Sequence, residues 1–432
     1  MDQITRFSES IKFKTLAGNW DEFLKFHQFL HESFPLVHKH LRVLKINDYS
    51  LLYQWQGKTD ESILLLAHMD VVPANEKEWE VPPFSGEIKD GFVWGRGTLD
   101  DKCCVMSILE AVEKLIGEGF KPKRNIYIAF GFDEETKGYR GARATAQYLA
   151  EYNIKIDAIL DEGAAIIQGI LPQIDPPLAL IGVAEKGLAS FDLIAKGDGG
   201  HSSAPKRNSP IERMAKAIQR ISQHRNRIHL SRAVEEFFRV CSRFMSFPSN
   251  IVLKNPKLFL PIIERAFRNI PSANAMLRTT MCVTILNAGM ADNVIPDTVV
   301  ATVNTRIIPG ETAEEVFERL SELVKDLQIE VVKNEKWEIS DPVPCSSLQG
   351  VFFSQLTTTI NEIFPESIVT PFLTIGGTDS RHYKSICSNI YRFAPIKMTS
   401  QEMSLVHGKN ERISTEGYMK MIDFYYRLLK KG

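Results

Sequence analysis

The stretch "LLLAHMDVV", Leu64 to Val72, begins as a buried strand and then sets an imidazole at His68 and a carboxylate at Asp70 where apolar side chains are expected. A continuous apolar run of this kind reads as a strand covered on both faces, as in a parallel sheet. Two further runs share the texture, "IYIAFGF" (126–132) and "IDAIL" (156–160). Each also ends in acids: Asp133, Glu134 and Glu135 after the first, Asp161 and Glu162 after the second. Between the runs that start at 63 and 126, "KCCVMSILEAVEKLIGEG" (102–119) repeats apolar residues at helical spacing and stops at Gly117 and Gly119. Strands alternating with helices define an α/β unit with a mostly parallel central sheet, and in such sheets the ligand crevice lies at the carboxyl ends of the strands. The histidine and the carboxylates are therefore expected in one place.

A different texture begins near Val183. "GLASFDLIAKGDGGHSSAP" alternates in period two, a helical pattern starts at Pro210, and "ATVNTRIIPG" resumes the strand pattern. In "PGETAEEVFERLSELVKDL", Pro309–Gly310 breaks the chain, Thr312 is placed as N-cap and Glu315 as its capping-box partner. These signals predict a smaller α+β domain, residues 184–337, inserted into a first domain made of residues 1–183 and 338–432.

Composition narrows the function classes. The 432 residues are 44% hydrophobic and 24% charged with a net charge of -1, which offers no global field for nucleic acid or an anionic membrane. No apolar run approaches the ~18 residues of a membrane span, and "MDQITRFSES" carries no basic region followed by an apolar stretch. Six cysteines without C-x-x-C spacing read as reduced core thiols, so a cytoplasmic enzyme is expected.

A fourth polar cluster, "GRGTLDD", adds Asp100 and Asp101 ahead of the helix at Lys102, its glycines allowing close backbone approach. Helix capping explains one of these aspartates, a solvated loop explains Glu134 and Glu135, and a hydrogen-bonded core histidine explains His68. Together these readings fail, because gathered carboxylates repel unless cations neutralise them. A histidine and several carboxylates without thiolates suit zinc in an open catalytic site, and two ions can share a bridging carboxylate. A second histidine is then needed.

The motifs "LLLAHMDVVP", "WEVPPFSGEIKDGFVWGRGTLDDK", "FDEETKGYRGA", "ILDEG" and "GGHSSAP" resemble those of the di-zinc amidohydrolases that include aminoacylase, carnosine dipeptidase, succinyl-diaminopimelate desuccinylase and carboxypeptidase S. "NPKLFLPIIERAFRNIPSANAMLRTT", "NVIPDTVVATVNTRIIPG" and "GGTDSRHY" look most like the branch of carboxypeptidase S and the N-acyl-aromatic-amino-acid amidohydrolases. The likeness spans nearly the whole chain. It implies a zinc-peptidase-like catalytic domain with an inserted lid or dimerisation domain, and two Zn²⁺ ions, with Co²⁺ or Mn²⁺ as substitutes. His68, Asp161 and bridging Asp100 would hold one ion, and Glu135, His407 and the same Asp100 the other.

By the same likeness Glu134 is the general base, Asp70 orients the His68 ring, and a cis peptide joins Asp100 to Asp101. His201 would reach the active site of a facing subunit in a homodimer to stabilise the oxyanion; alternatively the long segment from about 230 to 275 replaces that contact within one chain. Asn293, Arg306 and Arg381 match positions where relatives carry polar groups near substrate, and a guanidinium suits a carboxylate. Two departures stand out: Lys137 where many relatives have Gly, and Ala164 where close ones carry a second Gly. The implied reaction is hydrolysis of an amide next to a free carboxylate, in an N-acyl amino acid or a short peptide. A carnosinase-type dipeptidase and an inactive binding protein of the same fold are the alternatives.

Overall fold

The three apolar runs form the heart of a large sheet. A computed structural model describes residues 1–171 and 173–431, and in it Ser62–His68 is buried along its whole length between two parallel neighbours, Asn125–Gly131 and Ala158–Asp161. Ile390–Arg392 continues the parallel run beyond Ala158–Asp161, and Ile368–Thr374 pairs in parallel with Leu178–Glu185. Antiparallel strands Arg42–Ile46 and Ser50–Trp55 close one edge. Burial on both faces is why these strands carry no polar alternation. The helix Lys102–Gly117 covers one face, packing Val105, Ile108, Leu109 and Val112 into the main core.

The period-two segment forms a second, antiparallel sheet. Gly187–Lys196 lies between Thr298–Ile307 and Ile329–Val332, and Thr280–Ala288 forms the outer edge beside Thr298–Ile307. Helices Pro210–Gln223 and Ala313–Val324 back it, sharing a separate core of Phe191, Leu193, Met214, Ile221, Val316 and Leu320. The capping box at Thr312 and Glu315 forms as expected, and Ser209 and Glu212 build a second one at the start of the other helix.

Within the span 184–337 the packing divides. Helix Arg232–Ser242 sends Phe237 and Phe238 into the core of the large sheet, with the Phe237 ring 6.0 Å edge-on to Phe372 of strand Ile368–Thr374. Leu253, Ile263, Met276 and Leu277 join the same core. The chain thus leaves the large core, returns to it with helices, and leaves again. An amphipathic pattern tells that a face is buried but not against which sheet.

Candidate active site

The carboxyl ends of the three parallel strands converge with two loops. His68 ends its strand with its Nε2 2.8 Å from Asp100 Oδ1. The other oxygen of Asp100, Oδ2, lies 2.9 Å from Nε2 of His407, which is also 3.0 Å from Glu135 Oε1. One aspartate therefore offers a separate oxygen to each of two histidines, and His68, Asp100 and Glu135 bring their ligand atoms within 4.8 Å of one another. These donors, two imidazoles and carboxylates without thiolate, fit divalent zinc-type metals.

The supports are as ordered as the cluster. The His68 Nδ1 donates to the backbone carbonyl of Asp70 at 3.0 Å and stands 3.4 Å from the Asp70 carboxylate. That carboxylate accepts the backbone N–H groups of Glu134 and Glu135, at 3.3 and 3.0 Å, so Asp70 ties two strand ends together. Asp101 stands at the N-cap of helix Lys102–Gly117 without capping it; its Oδ2 accepts the His68 N–H at 3.1 Å. A cis peptide joins Asp100 to Asp101. The glycines before them have φ of 148° at Gly95 and 94° at Gly97, a region that L side chains rarely adopt.

Arg96 and Glu411 clasp the Asp100 loop to the His407 loop, a contact that the motifs did not reveal. The buried Glu411 carboxylate accepts the N–H groups of Gly97 and Leu99, at 3.1 and 2.7 Å, and receives Arg96 Nη1 at 2.7 Å. The second Arg96 nitrogen, Nη2, donates to the His407 carbonyl at 3.1 Å. The pair is separated by 315 positions, so no local spacing signals it.

Charge at the site is strongly unbalanced. Burial pushes the Glu134 carboxyl up to about 8, with Asp100, Glu135 and Asp70 adding repulsion that His68 only partly offsets. The Asp100 contact, then the Glu135 contact, raises His407 to about 10. Burial holds Glu162 well above the usual carboxylate range, and neighbouring Asp100, Asp161, Asp101 and Glu134 add to it. Cations among these groups would remove the repulsion.

Asp161 and Glu162 differ in their contacts. The Asp161 oxygens accept backbone N–H groups, from Glu162 at 3.0 Å and Ser380 at 2.9 Å. Glu162 makes no side-chain hydrogen bond among the described residues and faces the acidic cluster.

The cleft beside the cluster is lined by Glu134, Glu135, Lys186, Arg306, Glu338 and Arg381, among others. Arg381 donates Nε to Glu338 at 3.1 Å and Nη2 to the Lys137 carbonyl at 2.9 Å, and comes within 3.9 Å of Glu134. Lys137 has φ of 91°, a backbone conformation that glycine adopts more readily than lysine. Half-buried Arg306 donates no side-chain hydrogen bond among the described residues, leaving its guanidinium available in the cleft. His201 and Asn293 lie elsewhere: Gly200–His201 pairs with Val294–Ile295 at the tip of the second sheet, and both residues are exposed. There His201 Nδ1 accepts from Ser203 Oγ at 2.8 Å, and the Asn293 carbonyl accepts the Ser202 N–H at 3.0 Å.

A cleft of this kind at the strand ends, with paired histidines around a shared aspartate, defines a metallohydrolase-type site. The chain belongs to peptidase family M20/M25/M40, whose profile matches residues 64–431. It is 40% identical to "Probable carboxypeptidase S-like 2" of Dictyostelium discoideum, over 98% of this chain and 84% of that protein. It is 38% identical to "N-fatty-acyl-amino acid synthase/hydrolase PM20D1" of Xenopus tropicalis, covering 98% and 83% respectively. Among solved structures, the M20 family metallo-carboxypeptidase Sso-CP2 of Sulfolobus solfataricus superposes with a TM-score of 0.72 at 19% identity, covering 100% of this chain and 99% of that one.

Proposed function

We propose that this protein hydrolyses the amide bond next to a free carboxylate in N-acyl amino acids or short peptides, using two zinc ions. The observation that carries the reading is Asp100, with one oxygen at His68 and the other at His407. His68 and Asp100 would hold one ion, and Glu135, His407 and Asp100 the other. The remaining ligand comes from the Asp161–Glu162 pair; Asp161 was the expectation, and Glu162 is favoured because backbone N–H groups engage both Asp161 oxygens. When bound, the ions supply Lewis acidity and lower the pKa of water; Co²⁺ or Mn²⁺ would substitute for zinc.

Glu134 takes the proton from the attacking water and returns it to the leaving amine. Arg306, whose guanidinium has no hydrogen-bond partner among the described residues, receives the substrate carboxylate, and Arg381 holds Glu338 and the Lys137 carbonyl in place beside it. His201, with Asn293 beside it, serves the facing subunit's cleft in a homodimer and shares the oxyanion charge. Support for the dimer comes from the unpaired edge Thr280–Ala288, where Ile285 and Leu286 are exposed. Reduced thiols favour the cytoplasm: the six cysteines are free, and no helix among the described residues is long and apolar enough to cross a membrane.

A dipeptidase is the second reading, favoured by Glu338, whose buried Oε2 has no hydrogen-bond partner among the described residues and could receive a substrate amine. Assaying N-acyl amino acids against dipeptides, before and after chelation and with zinc, cobalt or manganese restored, decides both points. Full activity in the stripped protein contradicts the metal reading, and a preference for free amino termini selects the dipeptidase.

A further inference from the structure

The helices between Arg232 and Leu277 turn one face into the large core and leave the other uncovered. Phe237, Phe238, Leu253 and Ile263 are buried. Phe244, Phe247, Ile251, Leu258, Ile262 and Ile270 are exposed, with Phe247 at 77% and Leu258 at 75%. Single exposed apolar residues need no explanation, but six within one short helical segment do.

Charge identifies what would cover them. The segment's three acids are each engaged: Glu235 by Lys257, Glu236 by Arg239 and Glu264 by Arg278. Arg243, Lys254, Arg265 and Arg268 are exposed and have no ion-pair partner among the described residues. Unpaired cations are thus interleaved with exposed Phe, Leu and Ile. A second copy would bring the same positive charge to the contact, and a neutral protein face would leave the cations unmet. An anionic lipid surface meets both needs, taking apolar side chains at its acyl boundary and cations at its headgroups.

We propose that the outer face of residues 243–270 docks this protein reversibly on an anionic lipid surface. The helices lie in the interface and do not cross it, since none among the described residues is long and apolar enough to span. The whole-chain charge of -1 hides this local surplus, which is why the average composition argued against such a partner. The segment is also joined to the cleft: Lys186 donates Nζ to the carbonyls of Ala275 and Arg278, at 3.0 and 2.9 Å. Docking does not depend on what the cleft hydrolyses.

The test is flotation of the full chain with phosphatidylcholine vesicles and with vesicles containing phosphatidylserine, at low and high salt. Phe247→Ser/Leu258→Ser and Arg265→Glu/Arg268→Glu are compared with the unaltered protein, and thermal melting confirms that each is folded. The unaltered protein should float with the anionic vesicles, by about tenfold over the neutral ones, and each double variant and high salt should abolish this. No flotation of the unaltered protein, or flotation unchanged in both folded variants, overturns the proposal. So does Phe247→Ser/Leu258→Ser breaking an oligomer while flotation persists, which would assign the face to a second copy.

Discussion

His68 and His201 are both histidines at strand ends, yet the molecule treats them oppositely. His68 is buried, with a partner on each ring nitrogen and its backbone N–H held by Asp101. His201 stands exposed at the tip of the second sheet, its ring bonded, among the described residues, only to Ser203 two residues away. The first arrangement fixes ring position and orientation without any further molecule, as a metal ligand requires. The second leaves an imidazole nitrogen free for something that arrives from outside. A complete site in this reading is therefore built from a rigid half within the large sheet and a loose half borrowed from another subunit.

The sharpest break between the halves is expected from Glu134→Gln, which alters the rigid half without touching a proposed ligand. Turnover should fall by about 10²–10⁴ while metal content holds, and the loss should appear in kcat more than KM. If instead Glu134→Gln turns over normally and Glu135→Gln keeps both metals but stops turnover, the two roles are reversed.

His201→Ala should cost about 10²–10³ in kcat with metal content unchanged, the scale of one lost oxyanion donor. Mixing it with Glu134→Gln subunits should restore activity above either parent, because a mixed dimer holds one cleft with both groups intact. A monomeric, fully active protein would remove the loose half from the account and leave the segment from about 230 to 275 to supply the contact.

Smaller effects sharpen the rigid half. Glu411→Gln weakens the clasp between the Asp100 and His407 loops and should lower metal affinity by about 10–100-fold, the usual scale for groups that orient ligands. Titration with zinc followed by calorimetry would measure it. In the same assay Glu162→Gln should weaken binding more than Asp161→Asn; the opposite order returns Asp161 to the ligand set.

Legibility followed locality. The parallel strands could be read because both faces are buried and the apolar runs are unbroken, and the polar residues at their ends stood out for that reason. The cap at Thr312 could be read because its partner is three residues away. Arg96 and Glu411 could not, because their pairing exists only after the chain has folded. Asp101 looked like an ordinary helix cap until its carboxylate was found on the His68 N–H. The span 184–337 was expected to pack as one domain, and only the fold placed Phe237 and Phe238 in the large core. His201 remains the hardest, since its proposed work lies outside its own chain.

The central claim is a pair of ions sharing Asp100, and elemental analysis of the purified protein and of Asp100→Ala tests it most directly. The account predicts two divalent ions per chain in the unaltered protein and loss of both in Asp100→Ala, with the variant still folded. One ion in the unaltered protein, or two retained in the folded variant, would contradict it.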